Sequence, residues 1–429
     1  MTQSIDYCNI TIVISIVYLV SLFCRRPYRL FLPSVIHTIT WLITVFLLML
    51  ELKGIWVSHS ITNGRVDLST EYIFYLVLSS IVGFSLAHLL GNIKSERKKV
   101  QSIEPYVISS ILKKFNWIPY VCFIIGVLIF AFLISTIGLF NTFGEFRDYA
   151  VSGVKWGGPI GVVKQISGHV NIFSTFYLML LGYKHGKEGL NLKEFFKYAL
   201  LCSMINLSIG GRLWLITSTL PYIIAFVYSR EFSLRDRHSM RKDIKGLFSL
   251  FGILAVLFSL MGMARDDRDI DKAFIDKFLY FTDGAKMTNM VLHQFPPGSF
   301  ELEYGKSEFL RQFVPSPMDQ KFFRSISDDA GLTVTVQSAI PPLYYDFGYY
   351  GGIFMWGLFC FIIEFLAIRF LATRKILGLL LFVQMSQLLF LAPIFDVFSV
   401  HMQAFEWLLI LYIFRKNIFG SISGCKKYI

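Results

Sequence analysis

A single arginine interrupts a long apolar stretch in the middle of this chain. The run LCSMINLSIGGRLWLITSTLPYIIAFVY, residues 201–228, has one charged side chain, Arg212, which follows Gly210 and Gly211. An arginine in such a run either snorkels to the end of a membrane span or serves a function. A functional guanidinium would face an anion, either a protein carboxylate or a lipid phosphate, whose oxygens match its planar fork.

Further arginines stand in the polar segments on either side of this run. Arg265 and Arg268 open the stretch RDDRDIDK, which could bind an anion or could be a cluster of charges that pair with one another. Arg147 lies in RDYAVSGVKWGG, and Arg311 and Arg324 flank QFVPSPMDQKFF. Each of these could contact an anionic ligand or could be an ordinary solvated loop residue.

Acidic and histidine side chains supply the groups that could accept a proton. Asp396, His401 and Glu406 fall close together in LAPIFDVFSVHMQAFEWL. His401 would titrate near neutral pH, although a lone histidine is more often structural. Asp346, in YYDFG, could act as an acceptor or could cap the helix that follows it.

The sequence predicts no metal site. Asp267 and Asp269 form a D-x-D pair that could hold a divalent cation, but the neighbouring arginines oppose one. The six cysteines lie in or beside apolar runs, and no Cys/His cluster has zinc spacing. We therefore expect no bound metal, no other cofactor and no disulfide framework.

The composition is that of a membrane protein. Of the 429 residues, 55% are hydrophobic and 16% are charged, whereas about a quarter of a soluble domain is charged. The net charge of +12 does not indicate nucleic acid, because lysines and arginines gather in the loops that orient membrane helices. The composition predicts an all-α polytopic membrane protein.

About eleven apolar runs approach the roughly 20 residues that a membrane-spanning helix needs. The N-terminus lacks the positive region and the cleavage site of a signal peptide, so we expect the first helix to be retained. The predicted spans are residues 8–23, 31–50, 72–91, 116–137, 166–183, 195–209, 213–228, 246–263, 349–371, 376–395 and 398–414.

The distribution of lysine and arginine orients these spans. The short loops after odd-numbered spans carry most of the basic residues and are predicted to be cytoplasmic, so the N-terminus lies outside and the C-terminus inside. Both flanks of the GGR turn are basic, which places Arg212 at the outer tip of a helical hairpin. The predicted order is residues 1–263 with spans 1–8 and a small outer loop at 138–165, residues 264–348 as a large outer loop with short surface helices, and residues 349–429 with spans 9–11 and a cytoplasmic tail.

This layout resembles that of the O-antigen polymerases, bacterial enzymes that join oligosaccharide repeat units. The resemblance lies in three stretches: the small-residue–arginine turn SIGGRLWL, the large outer loop from Arg265, and IPPLYYDFGYYGGIFMWGLF at the start of the next span. As architecture it covers most of the chain. It implies a multi-pass protein of the bacterial inner membrane, with the outer loops and the N-terminus in the periplasm.

The resemblance also implies a reaction. In such enzymes the growing chain leaves undecaprenyl pyrophosphate and is transferred to a sugar of a new lipid-linked unit, without a metal. Arg212 matches the family's turn arginine and is predicted to stabilise the leaving pyrophosphate, with Arg265 as the second candidate. Asp396 and His401 are the candidate catalytic groups on the acceptor side.

The remaining candidates would bind substrate. The predicted partners are the lipid-linked donor and acceptor oligosaccharides, membrane lipid and a protein that regulates chain length, and no nucleic acid. Several aromatic residues could stack on sugar rings or could form the aromatic belt of the membrane interface, namely Trp156, Tyr344, Tyr345, Tyr349 and Tyr350. The substrate-binding candidates are Arg147, Arg268, Arg311, Arg324, Asp346 and Tyr345.

Two other functions stay open at this point. An O-antigen ligase has the same arginine layout but transfers the chain to the lipid A core, and a flippase or transporter would carry out no covalent chemistry. Transporters often have matching interrupted helices in two halves, and no such symmetry is evident in this sequence. That difference and the long outer loop favour an enzyme, and YYDFG favours a polymerase over a ligase.

Overall fold

All the secondary structure of the described residues is helical. The computed structural model describes residues 2–25, 32–55, 67–92, 105–137, 159–208, 213–231, 279–294, 340–373 and 376–393, and isolated positions between 245 and 256. No strand occurs among them, in agreement with the predicted all-α class. The helices are α1 (Thr2–Arg25), α2 (Pro33–Leu52), α3 (Asp67–Asn92), α4 (Pro105–Lys114), α5 (Ile118–Ile137), α6 (Pro159–Glu188), α7 (Leu192–Ser208), α8 (Leu213–Glu231), α9 (Leu279–Gln294), α10 (Ile340–Thr373) and α11 (Ile376–Leu391).

Several of these helices can cross a membrane. Large apolar side chains on them point outward, including Val17, Leu128 and Phe354, as lipid-facing residues do. The protein is therefore a helical membrane protein, while the number of about eleven spans stays a prediction. The 5 segments that are long and apolar enough are Gln3–Leu22, Pro33–Leu52, Ser69–Gly91, Ile108–Phe132 and Phe347–Arg369, and shorter apolar helices cover Thr219–Ser229 and Gly378–Phe390.

Hydroxyl side chains inside these helices donate to their own backbone. In α2, Thr38 Oγ1 donates to the carbonyl oxygen of Ser34 at 2.7 Å, and Thr44 Oγ1 donates to that of Thr40 at 3.0 Å. A polar group in lipid needs such a partner because no water is present to supply one. The pattern allows α2 to bury a row of threonines inside the bundle.

The described helices belong to two compact units that do not follow chain order. Unit 1 comprises residues 1–100, 275–373 and 384–404, and therefore contains α1, α2, α3, α9 and α10. Unit 2 comprises residues 101–274, 374–383 and 405–429, and contains α4 to α8. Helix α11 contributes residues to both units.

Helices α3 and α10 run side by side in the same direction in unit 1. Positions that meet advance together along both helices: Ser79 Oγ donates to the carbonyl oxygen of Ile353 at 2.9 Å, and Gly83 faces Gly357 one turn further on. A methyl group at Gly83 would collide with the carbonyl oxygen of Gly357. Such close approach of small residues is a common means of packing membrane helices, because lipid offers no hydrophobic driving force between them.

The first two helices complete this arrangement. Helix α1 runs parallel to α3, since the Tyr7 ring lies 5.6 Å from Phe74 and the Tyr18 ring lies 6.5 Å from Phe84. Helix α2 runs in the opposite direction, because its first turn meets the C-terminal half of α10 at Glu364. Unit 1 is thus built from three parallel helices and one antiparallel helix, with α9 added at one end.

In unit 2, helices α5 to α8 alternate in direction. Helices α6 and α8 are parallel, since methyl groups at Gly182 and Gly186 would collide with the backbone of Tyr222 and Phe226 respectively. Helices α6 and α7 form an antiparallel hairpin around residues 189–191. Helix α7 ends at Ser208 and α8 begins at Leu213, which agrees with the predicted division of the run 201–228 into two helices. Residues 209–212 of the turn lie outside the described residues.

Candidate functional site

One end of unit 1 brings a helix from the predicted outer loop into contact with two early helices. Lys286 Nζ on α9 lies 2.7 Å from Glu51 Oε1 near the C-terminus of α2. Asn289 Oδ1, also on α9, accepts a hydrogen bond from the Ser69 N–H at the start of α3, at 3.0 Å. We name this region, defined by Glu51, Ser69, Lys286 and Asn289, the loop end of unit 1.

Helix α9 is buried within the bundle. We expected the short helices of the long loop to lie on the membrane surface, but Ala285, Met287 and Val291 belong to the same buried cluster as residues of α2, α3 and α10. The polar side chains of α9 are compensated by the pairs at Glu51 and Ser69, which allows the helix to leave the surface. This helix therefore contributes side chains to the interior of unit 1.

The Lys286–Glu51 pair presents two kinds of chemical group at once. Lys286 is 3% exposed and Glu51 is 22% exposed. A buried ammonium is costly without an anion beside it, so Glu51 determines where the positive charge is held. The second carboxylate oxygen, Glu51 Oε2, is buried and has no hydrogen-bond partner among the described residues. The pair thus combines a fixed cation with an oxygen that could accept a hydrogen bond from a ligand hydroxyl.

The YYDFG segment forms a helical arm in front of a membrane span. Helix α10 begins at Ile340, before the predicted start of that span at residue 349, and its backbone breaks at Gly348 with φ 69° and ψ −173°. Glycine adopts this conformation far more readily than other residues, so Gly348 sets the angle between the arm, Ile340–Phe347, and the span. Tyr345 and Asp346 belong to the arm, and their side chains lie outside the described part of the structure.

Tyrosine side chains surround the start of this span. The Tyr72 ring on α3 lies 5.8 Å from Tyr344 on the arm and 4.9 Å from Tyr349 just after the kink. Gly352 leaves room for the Tyr72 hydroxyl, because a methyl group there would collide with it. Burial raises the pKa of Tyr344, so its hydroxyl stays protonated at neutral pH. Tyr350, in contrast, is 81% exposed.

A second polar cluster lies at the opposite end of unit 1. Glu364 is fully buried, and it accepts hydrogen bonds from the Ser34 N–H at 3.0 Å and from the Ser34 hydroxyl at 2.8 Å. His88 Nε2 lies 2.9 Å from Glu364 Oε1. This carboxylate ties α2, α3 and α10 together, which indicates a structural role.

Unit 2 contains a polar cluster of its own at the α6–α7 turn. His185 Nε2 lies 3.0 Å from Glu194 Oε2, and His185 Nδ1 lies 2.8 Å from the Tyr222 hydroxyl. Burial lowers the pKa of His185, so the neutral ring donates from Nε2 to Glu194 and accepts from Tyr222 at Nδ1. Partial burial opposes ionisation of Glu194, but hydrogen bonds from His185 and Lys184 lower the pKa of this carboxyl overall. The cluster pins α6, α7 and α8 together.

The sequence predictions and the structure overlap only in part. Glu51, Glu364 and Lys286 were not singled out from the sequence. Glu364 could have been singled out, because it interrupts an apolar run as Arg212 does. Lys286 could not, because in the sequence it is one of several cations in a long polar loop. Tyr345 and Asp346 are placed on the arm. The other predicted site residues lie outside the described residues: Arg147, Arg212, Arg265, Arg268, Arg311, Arg324, Asp396 and His401.

Neither a metal site nor a known relative identifies the protein. Within the described segments, no three His, Cys, Asp or Glu side chains come together in a way that could hold a metal ion. The described cysteines Cys8, Cys122, Cys202 and Cys360 are buried free thiols. Comparison with protein-family models, with curated proteins and with solved structures finds no match.

Proposed function

We propose that this protein polymerises oligosaccharide repeat units carried on undecaprenyl pyrophosphate, at the periplasmic face of a bacterial inner membrane. The sequence supports this through the GGR turn, the long outer loop and the YYDFG segment. The observation that carries the proposal is Lys286, a buried cation from the long loop that is held by Glu51 at the loop end. Under the predicted orientation, the loop end faces the periplasm.

The reaction requires charge to be stabilised at one place and a proton to be accepted at another. A hydroxyl oxygen of the acceptor sugar attacks C1 of the donor sugar, and the bond between C1 and the pyrophosphate oxygen breaks. The hydroxyl proton passes to a base, and the negative charge stays on the lipid pyrophosphate. A fixed cation that faces this pyrophosphate lowers the barrier, because its orientation requires no reorganisation during the reaction.

The loop end provides groups that suit this chemistry. Lys286 is held away from water, where its charge acts more strongly on a nearby phosphate than it would in solvent. Arg212 and Arg265 stay the cations that the sequence predicts for the leaving pyrophosphate. The acceptor-side candidates remain Asp396 and His401, and Glu51 joins them through its unpaired oxygen.

The test is the surface polysaccharide of a strain that lacks the gene. If the protein is a polymerase, the deletion should leave a single repeat unit on the lipid core, seen as one band in place of a ladder on a gel. Loss of every unit would instead indicate a ligase or a flippase. An unchanged ladder would contradict the proposal.

Complementation of the deletion tests the predicted arginine. Arg212→Ala should fail to restore the ladder, because the leaving pyrophosphate loses its main cation. Arg369→Ala serves as the matched control, since Arg369 is an exposed arginine that lies over the Phe365 ring at the predicted cytoplasmic end of its span. Membrane levels of both variants are compared by immunoblot. A full ladder from Arg212→Ala would remove this residue from the site.

A further inference from the structure

Four tyrosines from three parallel helices converge at the loop end. Tyr7 comes from α1, Tyr75 from α3, and Tyr349 and Tyr350 from α10 just beyond the Gly348 kink. The Tyr7 and Tyr75 rings both lie beside the Phe74 ring, at 5.6 Å and 5.1 Å between ring centroids, and the Tyr349 and Tyr350 rings lie 5.2 Å apart. We name these four residues the tyrosine shelf.

One side of the tyrosine shelf packs against the protein, and the other side is accessible from outside. Tyr72 is fully buried and lies 4.9 Å from Tyr349, ring centre to ring centre, so Tyr72 holds that ring from the protein side. The Tyr7, Tyr75 and Tyr349 side chains are half-buried, whereas Tyr350 is 81% exposed. The shelf therefore presents aromatic faces that are fixed by packing yet reachable from outside.

An ordinary aromatic belt does not explain this arrangement. Belt tyrosines anchor helices separately, with each ring among the lipid headgroups. The shelf rings instead pack on one another and on Tyr72, and Glu71 lies one helical turn before Tyr75 on α3. A carboxylate beside these rings would repel anionic headgroups, so a lipid phosphate is a poor occupant.

The chemistry of the shelf suits a neutral sugar ring. A pyranose has an apolar face of C–H groups that packs against an aromatic ring, and hydroxyls at its edge that bond to phenols and carboxylates. Both kinds of group are present here. Glu71 adds a negative charge one helical turn before Tyr75, which favours a neutral ligand over an anion.

We infer that the tyrosine shelf, together with Glu71, is a saccharide-binding subsite that holds the sugar portion of a lipid-linked repeat unit beside the loop end. This inference rests on the proposed function, because it takes a repeat unit as the ligand. The subsite would orient the oligosaccharide, while the cations act on its pyrophosphate.

Direct binding tests the subsite without requiring polymerisation. The full-length protein is placed in nanodiscs, and the probe is a one-repeat oligosaccharide prepared by partial acid hydrolysis of the host's surface polysaccharide. Saturation-transfer NMR reports its binding. Wild-type protein should bind it, and Tyr349→Ala and Tyr350→Ala should each bind about tenfold more weakly. Tyr350→Trp should restore binding, because it keeps an aromatic face.

Phe354→Ala is the matched control. Phe354 is 68% exposed and lies one turn beyond Tyr350 on the same helix, so it tests the loss of an exposed aromatic ring outside the shelf. It should bind the oligosaccharide as the wild type does. Wild-type affinity in both alanine variants of the shelf, an equal loss in Phe354→Ala, or no binding by wild-type protein would each overturn the subsite.

The outcomes separate the subsite from the proposed function. If the deletion strain still produces a ladder while the purified protein binds the oligosaccharide through the shelf, then the polymerase proposal fails and the subsite stands. If the deletion abolishes the ladder, and Tyr349→Ala and Tyr350→Ala both bind the oligosaccharide and polymerise normally, then the subsite fails and the polymerase proposal stands.

Discussion

At the scale of single residues, the three carboxylates Glu51, Glu194 and Glu364 differ in what their oxygens contact. Glu364 uses both oxygens in contacts with Ser34 and His88, and Glu194 is held by His185 and Lys184. Both of these carboxylates therefore serve packing. Glu51 differs, because one oxygen holds Lys286 and the other has no hydrogen-bond partner among the described residues. An unpaired buried oxygen costs stability, which is expected where a site awaits a ligand.

The Lys286–Glu51 pair permits a test that separates stability from activity. Lys286→Met should lower the free energy of unfolding by about 3 kcal/mol, the lower end of the range for removing one partner of a buried ion pair, because Glu51 keeps some contact with solvent. Adding Glu51→Gln should recover most of this loss, as measured by thermal unfolding in detergent. If Lys286 acts on pyrophosphate, the stable double variant should still form no polymer.

A lysine in unit 2 supplies the control for this experiment. Lys184 pairs with Glu194 at 3.1 Å and is 22% exposed, so Lys184→Met also breaks a partly buried ion pair. This variant should keep the polysaccharide ladder. Polymer made at the wild-type level by the Lys286→Met/Glu51→Gln double variant would restrict Lys286 to a structural role.

At the scale of helices, hydropathy predicted where elements lie but not which ones meet. Lipid requires every spanning segment to satisfy its own backbone, so apolar runs such as 72–91 and 349–371 become helices regardless of context. Their pairing depends on close contact at Gly83 and Gly357, and a glycine in an apolar run carries no marker of its partner. For the same reason the sequence did not predict that α9 is buried. Its burial depends on contacts with Glu51 and Ser69, which are far away in the sequence.

Two native cysteines report on one helix pair directly. Gly126 on α5 meets the backbone of Met204 and Ile205 on α7, and the buried Cys122 and Cys202 lie within about one turn of this contact. Oxidation by copper phenanthroline should therefore crosslink Cys122 to Cys202, as detected by mass spectrometry of the linked peptides in a Cys24→Ser/Cys425→Ser background. Gly126→Leu should separate the helices and reduce the crosslink. Equal crosslinking in that variant would contradict the close packing of α5 on α7.

At the scale of the whole molecule, sequence order and spatial order diverge. Unit 1 combines the first three helices with α9 and α10, which follow some 180 residues later in the chain. The loop end forms only because α9, late in the chain, packs against the first helices. Composition and loop charge predicted a membrane protein and an orientation for it, yet the residues of the loop end come from separate segments, and no local spacing links them.

The predicted orientation can be tested by cysteine labelling. Ile55→Cys follows α2 at the loop end, and Tyr350→Cys begins the span after the kink; both positions are highly exposed. In intact cells of the Cys24→Ser/Cys425→Ser background, a membrane-impermeant maleimide should label both. Asn191→Cys, in the α6–α7 turn, should react only after the membrane is permeabilised. The reverse pattern would place the loop end in the cytoplasm and contradict the proposed function.

The parallel packing of α3 on α10 imposes a rule of parity. Two membrane-spanning helices that point the same way can be joined only by a chain that crosses the bilayer an odd number of times between them. The five spans predicted between these helices, 116–137, 166–183, 195–209, 213–228 and 246–263, satisfy that rule. Removing or adding any single crossing would break it. Any revised count of spans for this protein must therefore add or remove an even number of spans between α3 and α10.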